Sequence, residues 1–293
     1  MGQKIKVFFD EETATLTYIV YDEKSKDAVI IDPVLNFGLS SSEISYHSIE
    51  KIVEFIKKHE LKVHYALETH AHADHLTGSA ELKKIIPGLK IGIGKNITSI
   101  QEFFSKVFNF KDFNTDGVQF DILLTEEENL QAGSLDIKTF FTPGHTPACS
   151  SYLIGDKLFT GDTLFMPDFG TGRCDFPKGS AKELYKSVKE KLYLLPDETK
   201  VFTGHDYRPG GRDLRYESTI GEQKQNNIQL NKNTTEKEFI KFRETRDKSL
   251  KAPRLLLQSL QVNIDAGYLP KAEDNKTIYL KMPLTIKESK QWK

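Results

Sequence analysis

The stretch Val63-His64-Tyr65-Ala66-Leu67-Glu68-Thr69-His70-Ala71-His72-Ala73-Asp74-His75 decides the fold. Its first six residues read as a strand, and the rest packs three imidazoles and a carboxylate into one short loop. Imidazole nitrogens and a carboxylate oxygen suit a transition metal such as Zn or Fe, and the one-residue gap lets His70 and His72 reach a common centre if the chain turns there. A single histidine here would be read as a polar loop residue capping the next helix. Three with an Asp at this spacing make a ligand pattern.

The arrangement of strand followed by ligand recurs. Leu135–Phe141 leads into Thr142-Pro143-Gly144-His145, Lys157–Thr160 into Gly161-Asp162, and Lys200–Thr203 into Gly204-His205. In layered α/β folds, sites gather where loops leave the ends of strands, so these side chains are expected to converge from distant parts of the chain. The glycines let the backbone turn sharply there. Each alone is an ordinary strand-to-loop turn; four strand ends bearing ligands point to a metal.

A chain of 293 residues holds one large or two modest domains and can bury an ample core. Its formal net charge of -1 leaves no electrostatic footprint for nucleic acid or an anionic membrane, so a small-molecule partner is expected. The amino terminus passes directly into alternating strand-like sequence with no apolar signal core, and no run has the length of a membrane span. Two cysteines, Cys149 and Cys174, argue against a disulfide framework and fit a reducing cytoplasm, the expected location. Nothing in the sequence speaks to oligomeric state.

Strands are expected at 4–10, 15–22, 28–32, 90–94 and 118–124. Helices are expected at 48–60, with Ile49, Ile52, Val53 and Ile56 on one face, and at 75–86 and 97–107. Further helices are read at 181–192 with Ser180 as N-cap, at 219–230, and at 235–249 with Thr235 and Glu238 at capping-box spacing. A catalytic domain over 1–249 and a carboxy-terminal extension over 250–293 packing on it complete the expected organisation.

The loop His70-Ala71-His72-Ala73-Asp74-His75, followed in order by Gly144-His145, Gly161-Asp162 and Gly204-His205, closely resembles the metallo-β-lactamase superfamily from the first strands to about Asn231. The resemblance implies an α/β fold, an αββα sandwich of two mixed β-sheets flanked by helices, with metal at one edge. Two branches of the superfamily keep this loop: thioester hydrolases similar to glyoxalase II, and persulfide dioxygenases. Gly172-Arg173-Cys174-Asp175-Phe176 resembles the dioxygenases' Gly-Arg-x-Asp-Phe segment, and His205-Asp206-Tyr207 resembles their His-Asp-Tyr.

That likeness implies a non-haem iron enzyme with one Fe(II) per chain, oxidising glutathione persulfide with O2 to glutathione and sulfite. Its metal and catalytic residues would be His70, His145 and Asp162, which leave coordination positions open for substrate and O2. Arg173, Tyr207 and Thr146 would contact glutathione; read from the residues alone, Arg173 is as readily paired with Asp175 and Tyr207 simply packed. His72, Asp74, His75 and His205 would surround the iron or stand as a vacant second metal site. In the alternative, a dinuclear thioester hydrolase, those four bind a second metal and Asp162 bridges the two. Cys174 departs from the pattern and is read as a buried, inert thiol. Arg208, Arg212 and Arg215 are read as a solvated basic loop.

Overall fold

The computed structural model describes residues 3–126 and 128–286. Before Glu127 the chain forms β1 (Lys4–Asp10), β2 (Thr15–Tyr21), β3 (Asp27–Ile31), β4 (Val34–Gly38), β5 (Glu43–Ser45), α1 (His47–His59), β6 (Lys62–Glu68), β7 (Leu76–Thr77), α2 (Ser79–Ile85), β8 (Lys90–Gly94), α3 (Ile97–Val107) and β9 (Ile122–Leu124). After it come β10 (Leu130–Ala132), β11 (Leu135–Phe141), β12 (Ser150–Ile154), β13 (Lys157–Phe159), α4 (Ala181–Lys186), β14 (Lys200–Phe202) and β15 (Glu217–Thr219). Three helices follow, α5 (Ile220–Asn226), α6 (Glu236–Asp247) and α7 (Leu256–Asn263).

One sheet has the order β1-β2-β3-β6-β8-β9, antiparallel up to β3 and parallel beyond it. The other, β10-β11-β12-β13-β14-β15, is antiparallel except where β13 meets β14. Alternation along β2 shows how the layers stack. Leu16, Tyr18 and Val20 pack with Ile137, Tyr152 and Phe159 of the second sheet, whereas Ile19 lies in the cluster with Ile49, Ile52 and Ile56 of α1. Leu158 and Val201, on the far face of the second sheet, meet Leu184 of α4 and Val188. The result is the αββα sandwich of two mixed sheets that the resemblance implies. Each fully buried Ile or Leu contributes about 1.5–3 kcal/mol to it.

Two tyrosines cross between the sheets near one edge. Tyr18 of β2 donates its hydroxyl to the carbonyl of Thr203 beyond β14 at 2.6 Å, and Tyr152 of β12 donates to the carbonyl of Glu68 in β6, also at 2.6 Å. Both phenols are fully buried, and burial keeps them protonated as donors.

Some elements are shorter than their patterns suggest. The helix expected from His75 starts at Ser79, because Leu76 and Thr77 pair with Leu35 and Val34 of β4. The strand expected from Val118 begins at Ile122, after a turn closed by Phe120 N–H donating to the Gly117 carbonyl. The helix expected over 219–230 ends at Asn226; the Asn227 side chain then accepts from the backbone N–H groups of Gln229 and Leu230, a local turn that competes with helix. Beyond Lys186, α4 widens into a π-turn over Ser187–Lys191.

Residues 250–266 are built into these layers. Leu255 and Val262 join the core under α1, while Leu260 and Ile264 pack with Ile91, Ile93 and Ile97. Residues 287–293 of the expected carboxy-terminal extension lie outside the described residues. Among the described residues no helix is long and apolar enough to cross a membrane.

Candidate metal centre

The end of β6 delivers Thr69, and Asp32, just beyond β3, fixes it. Asp32 accepts from Thr69 N–H at 2.7 Å and from the Thr69 hydroxyl at 2.8 Å. That hydroxyl in turn accepts from His70 Nδ1 at 3.0 Å, and Asp32 also accepts from His72 Nε2 at 3.1 Å. One buried carboxylate thus orients two imidazoles, one directly and one through a threonine. Glu68 Oε2 lies 3.3 Å from His72 Nε2, while its other oxygen accepts from the Thr77 and Ser79 hydroxyls.

The second sheet supplies the facing half. His145 Nδ1 donates to the Arg173 carbonyl at 2.6 Å, which leaves Nε2 3.6 Å from Asp162 Oδ2. Gly161 holds φ +49, and a Cβ there would lie 2.4 Å from Thr69 Oγ1; a Cβ on Gly204 would lie 2.8 Å from Asp162 Oδ1. Both glycines therefore permit a close approach that any side chain would obstruct. His205 Nδ1 donates to the Ala14 carbonyl at 3.3 Å, and its Nε2 lies 3.1 Å from Asp74 Oδ2 and 3.3 Å from Asp162 Oδ1. His75 Nδ1 donates to the Leu76 carbonyl at 3.1 Å.

A regularity runs through these contacts. On each of the five histidines one ring nitrogen meets a protein oxygen; on His70, His72, His75 and His205 the other is buried with no hydrogen-bond partner, as are Asp74 Oδ2 and Asp162 Oδ1. Leaving that many buried polar atoms unpaired would cost about 1–3 kcal/mol apiece. A cation between them removes the cost, and outer hydrogen bonds of this kind fix the tautomer of metal-bound histidines. Ligand atoms of His70, His145 and Asp162 lie within 4.8 Å of one another, and so do those of His72, Asp74 and His75. Burial, then the neighbouring His72 and His145, holds His70 well below its ordinary pKa, and burial with His72 takes His75 down to about 4. His72 and His205 go the other way, raised against burial by Asp32 and by Asp162 with Asp74, so a metal, which requires neutral imidazoles, would displace protons there on binding.

Two residues outside the sequence reading complete the site. Asp32 carried a weak signal, an acid before Pro33 at the end of an apolar strand. Asn263 of α7 carried none. Its Nδ2 donates to the carbonyls of His72 and His75, both at 2.8 Å, and its Oδ1 accepts from Thr77 N–H at 2.9 Å.

His145 and Asp162 border a pocket of about 330 Å³ whose wall includes Arg173, Tyr207, Phe165 and Phe169. Arg173 grips Asp175 through two hydrogen bonds of 2.5 and 2.6 Å and donates to the Lys251 carbonyl at 2.7 Å. Tyr207 is 45% exposed, stacked on His205 with centroids 5.4 Å apart and against Phe169 at 4.9 Å. Thr146 stands apart from these two: fully buried, its hydroxyl accepts from Ala148 N–H at 3.2 Å and touches Cys149 Sγ at 3.1 Å. Cys174 is buried, and burial pushes its thiol pKa upward, away from the reactive thiolate. Arg208 pairs with Glu11, Arg212 with Asp168 and Asp206, and Arg215 with Glu222.

Residues 11–205 match the sequence profile of the metallo-β-lactamase superfamily, and the chain belongs to it. Fold, strand-end ligands and profile together define a metal-binding enzyme class. The chain is 47% identical to Glyoxylase B2 of Dictyostelium discoideum over 96% of its own length and 97% of that protein. It is 33% identical to the mitochondrial persulfide dioxygenase ETHE1 of Mus musculus, over 69% of this chain and 68% of that one. Its structure superposes on that of ETHE1 from Myxococcus xanthus with a TM-score of 0.73 at 30% identity, covering 90% of this chain and 100% of the other.

Proposed function

We propose that the protein is an Fe(II)-dependent persulfide dioxygenase. The observation that carries this reading is the convergence of His70, His145 and Asp162, the last two of which line a pocket together with Arg173 and Tyr207. Two histidines and one carboxylate on one face are the ligand set of non-haem Fe(II) oxygenases, and they leave positions open for a sulfur substrate and O2. The likeness to ETHE1 proteins in sequence and structure supports the same reading.

The reaction balances as glutathione persulfide plus O2 plus water giving glutathione, sulfite and two protons. Iron bound by His70, His145 and Asp162 would supply the redox chemistry, giving O2 and the terminal sulfur a common reaction centre. The chain's own residues position and shelter. Arg173, its fork held in plane by Asp175 and its Nη1 donating to the Lys251 carbonyl, keeps only its remaining N–H groups to meet polar groups of the carrier at the pocket wall. Phe165, Phe169 and the ring of Tyr207 form an apolar wall against which the carrier body can pack. Holding the carrier by its remote groups orients the terminal sulfur toward the ligand cluster.

A second reading has its own support. His72, Asp74, His75 and His205 keep buried, unpartnered ligand atoms, and the chain is 47% identical to a protein named Glyoxylase B2. It is a dinuclear thioester hydrolase acting on S-lactoylglutathione. Oxygen uptake by anaerobically iron-loaded protein on addition of glutathione persulfide, with metal content measured on the same sample, separates the two. Uptake with sulfite and about one iron per chain is expected for the three-ligand site. No uptake, two metals and thioester cleavage would overturn the dioxygenase reading.

A further inference from the structure

His145 is reached from two sides. Besides the larger pocket, a cleft of about 150 Å³ runs to it from beyond Arg173, and the two spaces share Ala73, His145, Arg173, Leu250 and Pro253 as a common wall. Arg173 is fixed in that wall: Asp175 accepts from its Nε and Nη2, and the Lys251 carbonyl accepts from its Nη1. Phe176 stands on the buried side of the cleft, its ring 6.3 Å from that of His145 and 5.5 Å from that of Phe104 in α3. Pro177 and Leu256, the first residue of α7, continue the lining, and exposed Ala252 stands at the rim.

The residues that line the cleft and not the larger pocket are apolar apart from Asp175, and Asp175 is already paired with Arg173. Neither a cation nor an anion therefore gains a free counter-charge from them. Size narrows the occupant further. About 150 Å³ falls well below the larger pocket's 330 Å³ and below the roughly 300–1,000 Å³ of sites for drug-sized ligands. Apolar cavities of roughly 150 Å³ do admit xenon. The reaction proposed above has two reactants of unlike size and polarity. A carrier seated in the larger pocket covers His145 and Asp162 from that side, while the cleft reaches the same histidine from the other side of Arg173.

We propose that the cleft between Phe176 and Leu256 is a separate inlet and holding site for dioxygen, partitioned by Arg173 from the pocket that takes the thiol-borne sulfur. The proposal rests on the dioxygenase reading and deepens it, giving the Arg173 and Asp175 pair the task of a dividing wall. Separate entry removes competition between the reactants: O2 reaches the centre with the carrier in place. Turnover at low oxygen then depends on the cleft, and turnover at low persulfide on the larger pocket.

Two measurements test it, one of them independent of turnover. Crystals of the metal-loaded protein under xenon pressure are expected to show xenon between Phe176 and Leu256, and Leu256→Trp, which fills that space, should abolish the peak. In oxygen-uptake assays with glutathione persulfide, Leu256→Trp and the rim variant Ala252→Trp should each raise KM for O2 about fivefold while KM for the persulfide stays put, a split that a general loosening of the site would not give. Ala252 is exposed, so its variant keeps the test open should a tryptophan at 256 impair folding. Oxygen uptake by the parent with no xenon in the cleft, or with an unaltered KM for O2 in both variants, would overturn the inlet alone. Xenon in the cleft of a parent protein that takes up no oxygen would overturn the dioxygenase reading and remove O2 as the occupant.

Discussion

Asp32 serves two ligands through one carboxylate, and Asn263 holds the same loop from its other side by three backbone hydrogen bonds. Asn263→Ala leaves two carbonyls and one N–H buried and unpaired, so a loss of about 2–4 kcal/mol is expected from the usual cost of such groups. Metal affinity should fall about 10–100-fold, as it does when outer hydrogen bonds of a metal site are removed; a competition titration against a chelator of known affinity measures it, and an unaltered affinity would refute the role. Asp162→Ala removes the carboxylate from the cluster with His70 and His145, and metal analysis of the purified variant should find its ion gone. Asp265 makes a separate prediction about pH. Burial lifts its carboxyl to about 6, so the folded chain holds this proton more tightly than the unfolded chain, and stability falls as pH rises from about 4 to about 6. Asp265→Asn should melt higher than the parent at pH 7.5 and alongside it near pH 4. The metal-loop histidines were legible because they are local, three within six residues. Asp32 and Asn263 were obscure because their partners lie 37 or more residues away in the chain.

At the scale of elements, α6 is the most fully signalled. Thr235 caps it by accepting from Glu238 N–H, and the Glu238 side chain returns the bond, as the spacing predicted. Ser180 likewise caps α4 by accepting from Glu183 N–H. Thr235→Ala should cost about 0.5–2 kcal/mol, visible as a few degrees in thermal melting, while metal content stays at the parental level because the ion pair of Arg243 and Asp247 lies farther along the helix. A fall in metal content would show that the cap bears on the site. β3, buried along its whole length, reads clearly from its apolar run. Where a pattern misled, tertiary partners had claimed the backbone: β4 drew Leu76 and Thr77 out of a helix, and the Asn227 side chain cut α5 short. Nothing periodic announced β4, which pairs on both sides with short strands.

Over the whole molecule, the segment after residue 249 closes the pocket with Leu250, Pro253 and Leu255, fills the core with Leu260, Val262 and Ile264, and braces the metal loop through Asn263. A chain ending at residue 249 should therefore lose its metal and its cooperative melting transition; a truncated protein that keeps both would show that the extension merely rests on the sandwich. The layered architecture was foreseeable from alternating strands and helices, but the contribution of this segment was not, since its apolar residues follow no clear period and act only once the sheets have met. Four of the clustered side chains, His70, His72, Asp74 and His75, follow a strand of the first sheet, while His145, Asp162 and His205 follow strands of the second. The hydroxyls of Tyr18 and Tyr152 tie the sheets together beside that seam, each reaching to the strand end of the other. An ion seated between the halves and the phenols that span them would therefore act like a rivet and its dowels: whatever tightens the seam preorganises the ligands, whatever loosens it spreads them, and metal binding at this edge shares one mechanical joint with the stability of the whole chain.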